Sequence, residues 1–224
     1  MENYYSNSLN SNKLQRCYEI APVRVKQFLE AEVTFVLNQI SQRDTVLDLG
    51  CGYGRVAIRL SEKAKKVIGI DISKDNIDLA KKFVGDNQKC EFYTMDAIDL
   101  KFPDNYFDTV LCIQNGISAF HVDPLELMKE SIRVTRKGGK VLFSSYSGKF
   151  WKDRLEWFQI QSEQGLIGEI DYRLTKNGVI ICKDGFKATT YSGEQFRELA
   201  SNFNVRATIR EIDNSSVFCI MELD

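Results

Sequence analysis

The sequence predicts a doubly wound α/β fold: a mostly parallel sheet of seven strands, helices on both faces, and an antiparallel pair at its end. Three observations carry this. From Thr45 to Ser145, short apolar runs alternate with segments of helical period, the pattern of a parallel sheet built from strand–helix–strand units. A glycine-rich turn, Gly50-Cys51-Gly52-Tyr53-Gly54, stands where the first strand gives way to the first helix of the sheet. Near the carboxyl end, the apolar runs Asn204–Ile212 and Ser216–Glu222 are separated by so little chain that only a hairpin can join them.

The elements follow in order. Between Pro22 and Ile40, Val25, Phe28, Leu29, Val33, Val36 and Leu37 recur at helical spacing, with Pro22 suited to a first turn. Strands are expected at 45–49, 66–70, 90–94 and 107–113, with helices over about 54–64 and 73–84 between the first three. Ser73 is an N-cap candidate. Asp123-Pro124-Leu125-Glu126 reads as a helix start close to a capping box, and that helix is expected to end at Lys137-Gly138-Gly139, before a strand at 140–145. Ser192-Gly-Glu-Gln195 starts the last helix by a second capping-box pattern.

Bulk properties narrow the function. The chain has 224 residues, without repeats or linker-like stretches, and reads as one domain. Lys and Arg number 30 against 31 Asp and Glu, so the basic excess of a nucleic-acid binder is missing. Local clusters such as Lys63-Ala-Lys65-Lys66 and Arg136-Lys137 are expected at helix ends, where cations complement the dipole. Six scattered cysteines without metal-ligand or redox spacing fit a reducing compartment, and the polar amino terminus and lack of a long apolar stretch predict a cytoplasmic protein with no membrane contact and no metal.

The decisive stretch is Val46-Leu-Asp48-Leu-Gly50-Cys51-Gly52-Tyr53-Gly54-Arg55. Glycines allow positive φ and close approach of a ligand to the backbone. Asp71, at the end of the next strand, is placed to accept hydrogen bonds from ribose hydroxyls. A nicotinamide-binding fold shares these features, but its fingerprint needs glycine where Arg55 stands. The Asp-x-Gly-x-Gly-x-Gly spacing instead resembles motif I of the class I S-adenosylmethionine-dependent methyltransferases, whose sheet is Rossmann-like. Asp71-Ile72-Ser resembles the family's acidic motif II, Met95-Asp96-Ala97-Ile98 its adenine-contacting segment, Phe107–Asn115 its motif IV, and Val134–Phe143 its helix–turn–strand signature. The resemblance is strong over 45–145.

What the resemblance implies is a methyltransferase with S-adenosylmethionine as cofactor and S-adenosylhomocysteine as product. The implied cofactor residues are Asp48, Gly50, Cys51, Gly52, Tyr53, Gly54, Arg55, Asp71, Ile72, Asp96, Ala97, Ile98 and Gln114. Methyl transfer is an in-line displacement at an activated sulfonium methyl, so orientation supplies much of the rate and no catalytic triad is needed. His121, the lone histidine, and Asn115 are the candidates for base and acceptor contact. The run Gln114-Asn-Gly-Ile117 lacks the (Asn/Asp)-Pro-Pro-(Tyr/Phe) pattern of enzymes that methylate nucleic-acid bases, which points to a small-molecule acceptor. A nicotinamide-dependent oxidoreductase and a non-catalytic cofactor-binding partner subunit are the alternatives.

One insert stands out. Ser147–Tyr191 is long for its place and holds both tryptophans, Trp151 and Trp157, with Phe150, Phe158, Tyr172 and Phe186. A hairpin is expected around Lys176-Asn177, between 171–175 and 178–182. The chain is thus expected to divide into an amino-terminal helical flap (1–43, with Tyr4, Tyr5 and Tyr18 over the cofactor), a cofactor-binding core (44–146), an insert (147–191), and the last helix and hairpin (192–224). The insert either caps the substrate, as the resemblance to small-molecule methyltransferases implies, or only packs its aromatic residues onto the sheet.

Overall fold

The computed structural model describes residues 11–224; Tyr4 and Tyr5 of the expected flap lie outside them. One sheet of seven strands runs through the molecule in the order β3-β2-β1-β4-β5-β9-β8. The strands are β1 (Thr45–Leu49), β2 (Lys66–Asp71), β3 (Cys90–Thr94), β4 (Phe107–Cys112), β5 (Thr135–Tyr146), β8 (Arg206–Ile212) and β9 (Ser216–Glu222). The first five are parallel, and β9 runs antiparallel to both β5 and β8. Chain order reverses between β1 and β4, so the crevice beyond their carboxyl ends is where such a sheet receives a ligand.

Alternation of side chains along the strands feeds two cores. Val46, Val67, Leu111, Leu142 and Phe218 face one layer, where α2 (Val23–Gln39), α3 (Arg55–Ser61) and α4 (Lys74–Val84) pack through Val33, Val36, Ala57, Leu60, Ile77 and Ala80. Leu47, Ile68, Val110, Val141 and Cys219 face the other, against α6 (Pro124–Val134) and α8 (Gly193–Ala200). Helices therefore cover both faces, as expected. Asp123 caps α6 by accepting from the Leu125 N–H at 2.8 Å, a simpler cap than the expected box, whereas Ser192 and Gln195 form the full reciprocal box on α8.

The α6 boundary differs from the sequence reading. The helix ends at Val134, and Thr135 already opens β5, which runs 12 residues through Arg136-Lys137-Gly138-Gly139. Pairing with β4 shifts register between Phe107 and Thr109, so the glycines serve a strand irregularity instead of a helix cap. Arg136 accordingly pairs with Asp108 and has no helix end to complement. Likewise the first sheet helix is shorter than predicted, with turns over 62–64.

A third core joins the amino-terminal helices to the insert. Helix α1 (Ser11–Glu19) contributes Cys17, the first half of α2 contributes Val25, Phe28 and Leu29, and the insert contributes Phe150, Trp157, Phe158, Ile170, Ile180 and Phe186. The insert's main element is a helix the sequence reading lacked, α7 (Trp151–Glu163). The turn at Asn177-Gly178 has the two positive φ values of a tight hairpin, 52° and 80°, and Lys176 bridges Val179. However, 171–175 coils as turns, and the paired strands are β6 (Ile180–Ile181) and β7 (Lys187–Ala188).

Candidate active site

The site begins with the glycine turn. Gly50 and Gly52 have φ of 71° and 53°; a Cβ on Gly50 would stand 3.0 Å from the Phe120 ring, and one on Gly52 3.0 Å from Leu14 of α1. Both the conformation and the close approach require glycine. Asp71, at the tip of β2, holds the turn in place: its carboxylate accepts the Gly52 N–H at 3.0 Å and the Ser73 N–H at 2.8 Å. Burial pushes its carboxyl above the usual range.

Beneath the turn lies Asp48, 3% exposed. Burial, opposed by the Arg55 guanidinium and reinforced by Asp71, raises its carboxyl to about 7. Arg55 reaches from the first turn of α3 to donate to the Gln114 Oε1, and its guanidinium lies 4.3 Å from the centre of the Tyr18 ring. Asp48 Oδ2, Arg55 Nε and Gln114 Nε2 are buried without a hydrogen-bond partner among the described residues. A buried acceptor and two buried donors left open at one cavity are matched by a ligand that brings both signs of charge.

That cavity is lined by Asp48, Gly50, Cys51, Gly52, Tyr53, Arg55, Asp71, Ile72, Gln114 and Asn115, which the sequence had singled out. Gly54, Asp96, Ala97, Ile98 and His121 are outside its lining. Gly54 is the left-handed residue preceding α3. Asp96 is exposed and receives the Ile98 N–H at 3.1 Å, while Ala97 is buried in the core on the α6 side. His121 is exposed, beyond the short helix α5 (Gly116–Ala119). Asn115 is at the cavity, but its amide is engaged: Nδ2 donates to the Thr189 carbonyl at 3.0 Å, and Oδ1 accepts from the Ser145 hydroxyl at 2.6 Å.

The flap and the insert close the cavity. Leu14, Cys17 and Tyr18 of α1 line it, as do Trp157, Phe158, Gln161, Phe186 and Ala188 of the insert. Trp157 Nε1 donates to the Cys17 carbonyl at 2.9 Å, and the Tyr18 ring packs 6.0 Å from Trp157 and from Tyr53. Thr189 is latched to Ser118 by paired hydrogen bonds of 2.9 Å. The sequence reading missed Glu32, a fully buried carboxylate on α2 that accepts from the Gln114 N–H at 2.7 Å, from Ser144 at 2.8 Å and from Ser216. Burial raises its carboxyl to about 7. The signal was present: a charge at 32 interrupts the apolar stripe of Phe28, Leu29, Val33 and Val36.

Comparison with known proteins agrees with this architecture. Residues 47–143 match the family model described as a methyltransferase domain. The chain is 30% identical over 142 residues to a ubiquinone biosynthesis O-methyltransferase of Coxiella burnetii, covering 62% of this chain and 56% of that one. It is 29% identical over 135 residues to 2-methyl-6-phytyl-1,4-hydroquinone methyltransferase of Synechocystis, covering 56% and 42%. The chain thus spans about half the length of these curated relatives. The crystal structure of the PH0226 protein from Pyrococcus horikoshii shares the fold over the full length of both chains, with a TM-score of 0.69 and 22% identity. Strand order, glycine turn and the family-model match together identify residues 47–143 as a methyltransferase domain. The family's cofactor is S-adenosylmethionine.

Proposed function

We propose that this chain transfers the methyl group of S-adenosylmethionine to an O, N or C nucleophile of a small, largely apolar acceptor held under the insert. One observation carries the reading: a single cavity is lined both by the glycine turn and by the aromatic face of the insert. The open polar atoms fit the amino-acid end of the cofactor, with Asp48 accepting from an ammonium and Arg55 and Gln114 donating to a carboxylate. Asp71 is the ribose acceptor, and Ile72, 47% exposed at the cavity's edge, gives apolar contact to the adenine. When bound, the cofactor supplies an already activated methyl on a sulfonium.

The protein's part is then alignment and dryness. Trp157, Phe158, Phe186 and Tyr146 offer flat, apolar walls to the acceptor, which expels water from the transfer path. Of the two curated relatives, one is named for ubiquinone biosynthesis and the other for a phytyl hydroquinone, a small aromatic ring with an apolar tail. Asn115 is assigned a positioning part, since both ends of its amide bind protein, and no part in catalysis is proposed for His121.

Methyl-labelled S-adenosylmethionine incubated with the chain and a metabolite extract tests this. Label in a low-mass product is the expected result. Label only in added RNA or protein would overturn the small-molecule acceptor, and absence of any labelled product from a chain that binds S-adenosylhomocysteine would favour a non-catalytic partner subunit.

A further inference from the structure

Glu32 stands behind the cavity wall and does not line it. Its carboxylate gathers donors from three elements that are distant in sequence: the Gln114 N–H just past β4, the Ser144 hydroxyl on β5 and the Ser216 hydroxyl at the start of β9. Gln114 N–H is also within 2.8 Å of Ser144 Oγ. A helix rarely places a fully buried carboxylate against a sheet without a use for it, because desolvation of the charge is costly.

What the carboxylate holds is an unusual backbone. Gln114 and Asn115 have φ of 55° and 65°, two consecutive non-glycine residues in the left-handed region. Such a turn persists only where its surroundings fix it. The Gln114 N–H faces Glu32 on one side of the turn, while its side chain accepts from Arg55 on the other. Arg55 in turn lies on the Tyr18 ring of α1. Asn115, the next residue, ties the insert to β5.

We propose that Glu32 is a positioning residue for the cofactor site: by anchoring the Gln114 N–H it fixes the left-handed turn, and through Gln114 it sets where the Arg55 guanidinium stands. The proposal rests on the assignment of Arg55 and Gln114 to the cofactor's carboxylate. Glu32→Gln keeps the volume but replaces one acceptor oxygen by a donor, so a single neutral oxygen is left for the Gln114 N–H and the Ser144 hydroxyl while the amide N–H turns to the Ser216 hydroxyl. Its effect reaches the ligand only by way of Gln114, so the two positions are coupled.

The experiment is a double-mutant cycle with S-adenosylhomocysteine as the probe, measured by calorimetry on folded protein. Glu32→Gln and Gln114→Ala are each expected to weaken binding about ten-fold, and the double variant to lose little more than either alone. Wild-type affinity in a folded Glu32→Gln, or losses that simply multiply, would overturn the proposal. Should Glu32→Gln fail to fold, Ser144→Ala carries the test, since Ser144 bonds both Glu32 and the Gln114 N–H. It is expected to weaken binding several-fold, and unchanged affinity would overturn the proposal. Asp71→Ala separates this inference from the site assignment on which it rests. If Asp71→Ala weakens binding and Glu32→Gln does not, only the positioning role fails; if neither does, the site assignment fails with it.

Discussion

Asp48 and Asp71 end neighbouring strands at the same cavity, yet their carboxylates are held differently. Asp71 accepts two backbone N–H groups, so it shapes the glycine turn before any ligand arrives. Replacing it with alanine removes both bonds and the proposed ribose acceptor; affinity for S-adenosylmethionine is expected to fall by about 1.5–3 kcal/mol, read by calorimetry. Asp48 has an oxygen without a partner among the described residues, and burial lifts its carboxyl from 3.8 to about 7. A raised native value means that the folded protein keeps this proton while the unfolded chain has already lost it. This contribution to stability is therefore full below about pH 4 and declines as pH rises to about 7. Asp48→Asn is expected to flatten that part of the profile in denaturant titrations at several pH values between about 4.5 and 7.5; an unchanged slope would show that Asp48 is ionised in the native state. Sequence alone marks both aspartates, because each ends an apolar run beside glycines. It does not mark Glu32, whose partners at 114, 144 and 216 come together only in the folded sheet.

At the scale of elements, two latches hold the roof of the cavity. One is Trp157 to the Cys17 carbonyl, joining α7 to α1; the other is Thr189 to Asn115 and Ser118. The two tryptophans therefore have different parts. Trp157 is 5% exposed and lines the main cavity, whereas Trp151 packs at the start of α7 beside a second pocket. Trp157→Phe keeps an aromatic wall but loses the N–H bond to α1, at a cost of about 1 kcal/mol in stability. Because α1 covers the glycine turn, it is expected to weaken S-adenosylhomocysteine binding as well; melting and titration of the same variant check both effects, and loss of stability with intact affinity would detach α1 from the site. The elements themselves were largely legible. Strands β1 to β4 and the terminal hairpin follow from apolar runs bounded by turn residues, and Ser73 and Ser192 from capping chemistry. Helix α7 was hidden because its hydrophobic residues do not form one stripe: Trp157 and Phe158 face the third core while Arg154 and Gln161 are buried as well. The end of α6 was misplaced because Gly138-Gly139 carries the usual signature of a helix stop, and strand pairing with β4 prevailed over that local signal.

For the molecule as a whole, the reversal of strand order between β1 and β4 places the glycine turn, Asp71 and Gln114 at one crevice, and the amino-terminal helix and the insert form its cover. The nicotinamide reading shares the crevice but not its chemistry. With Arg55 in place of a third fingerprint glycine, the donors and acceptors at the turn suit an amino-acid zwitterion better than a pyrophosphate. The most direct measurement is a calorimetric titration of the full chain with S-adenosylhomocysteine and, separately, with NAD, supported by melting curves at equal ligand concentration. Saturable binding and a raised melting temperature are expected with S-adenosylhomocysteine and neither with NAD; binding of NAD with no response to S-adenosylhomocysteine would contradict the methyltransferase assignment.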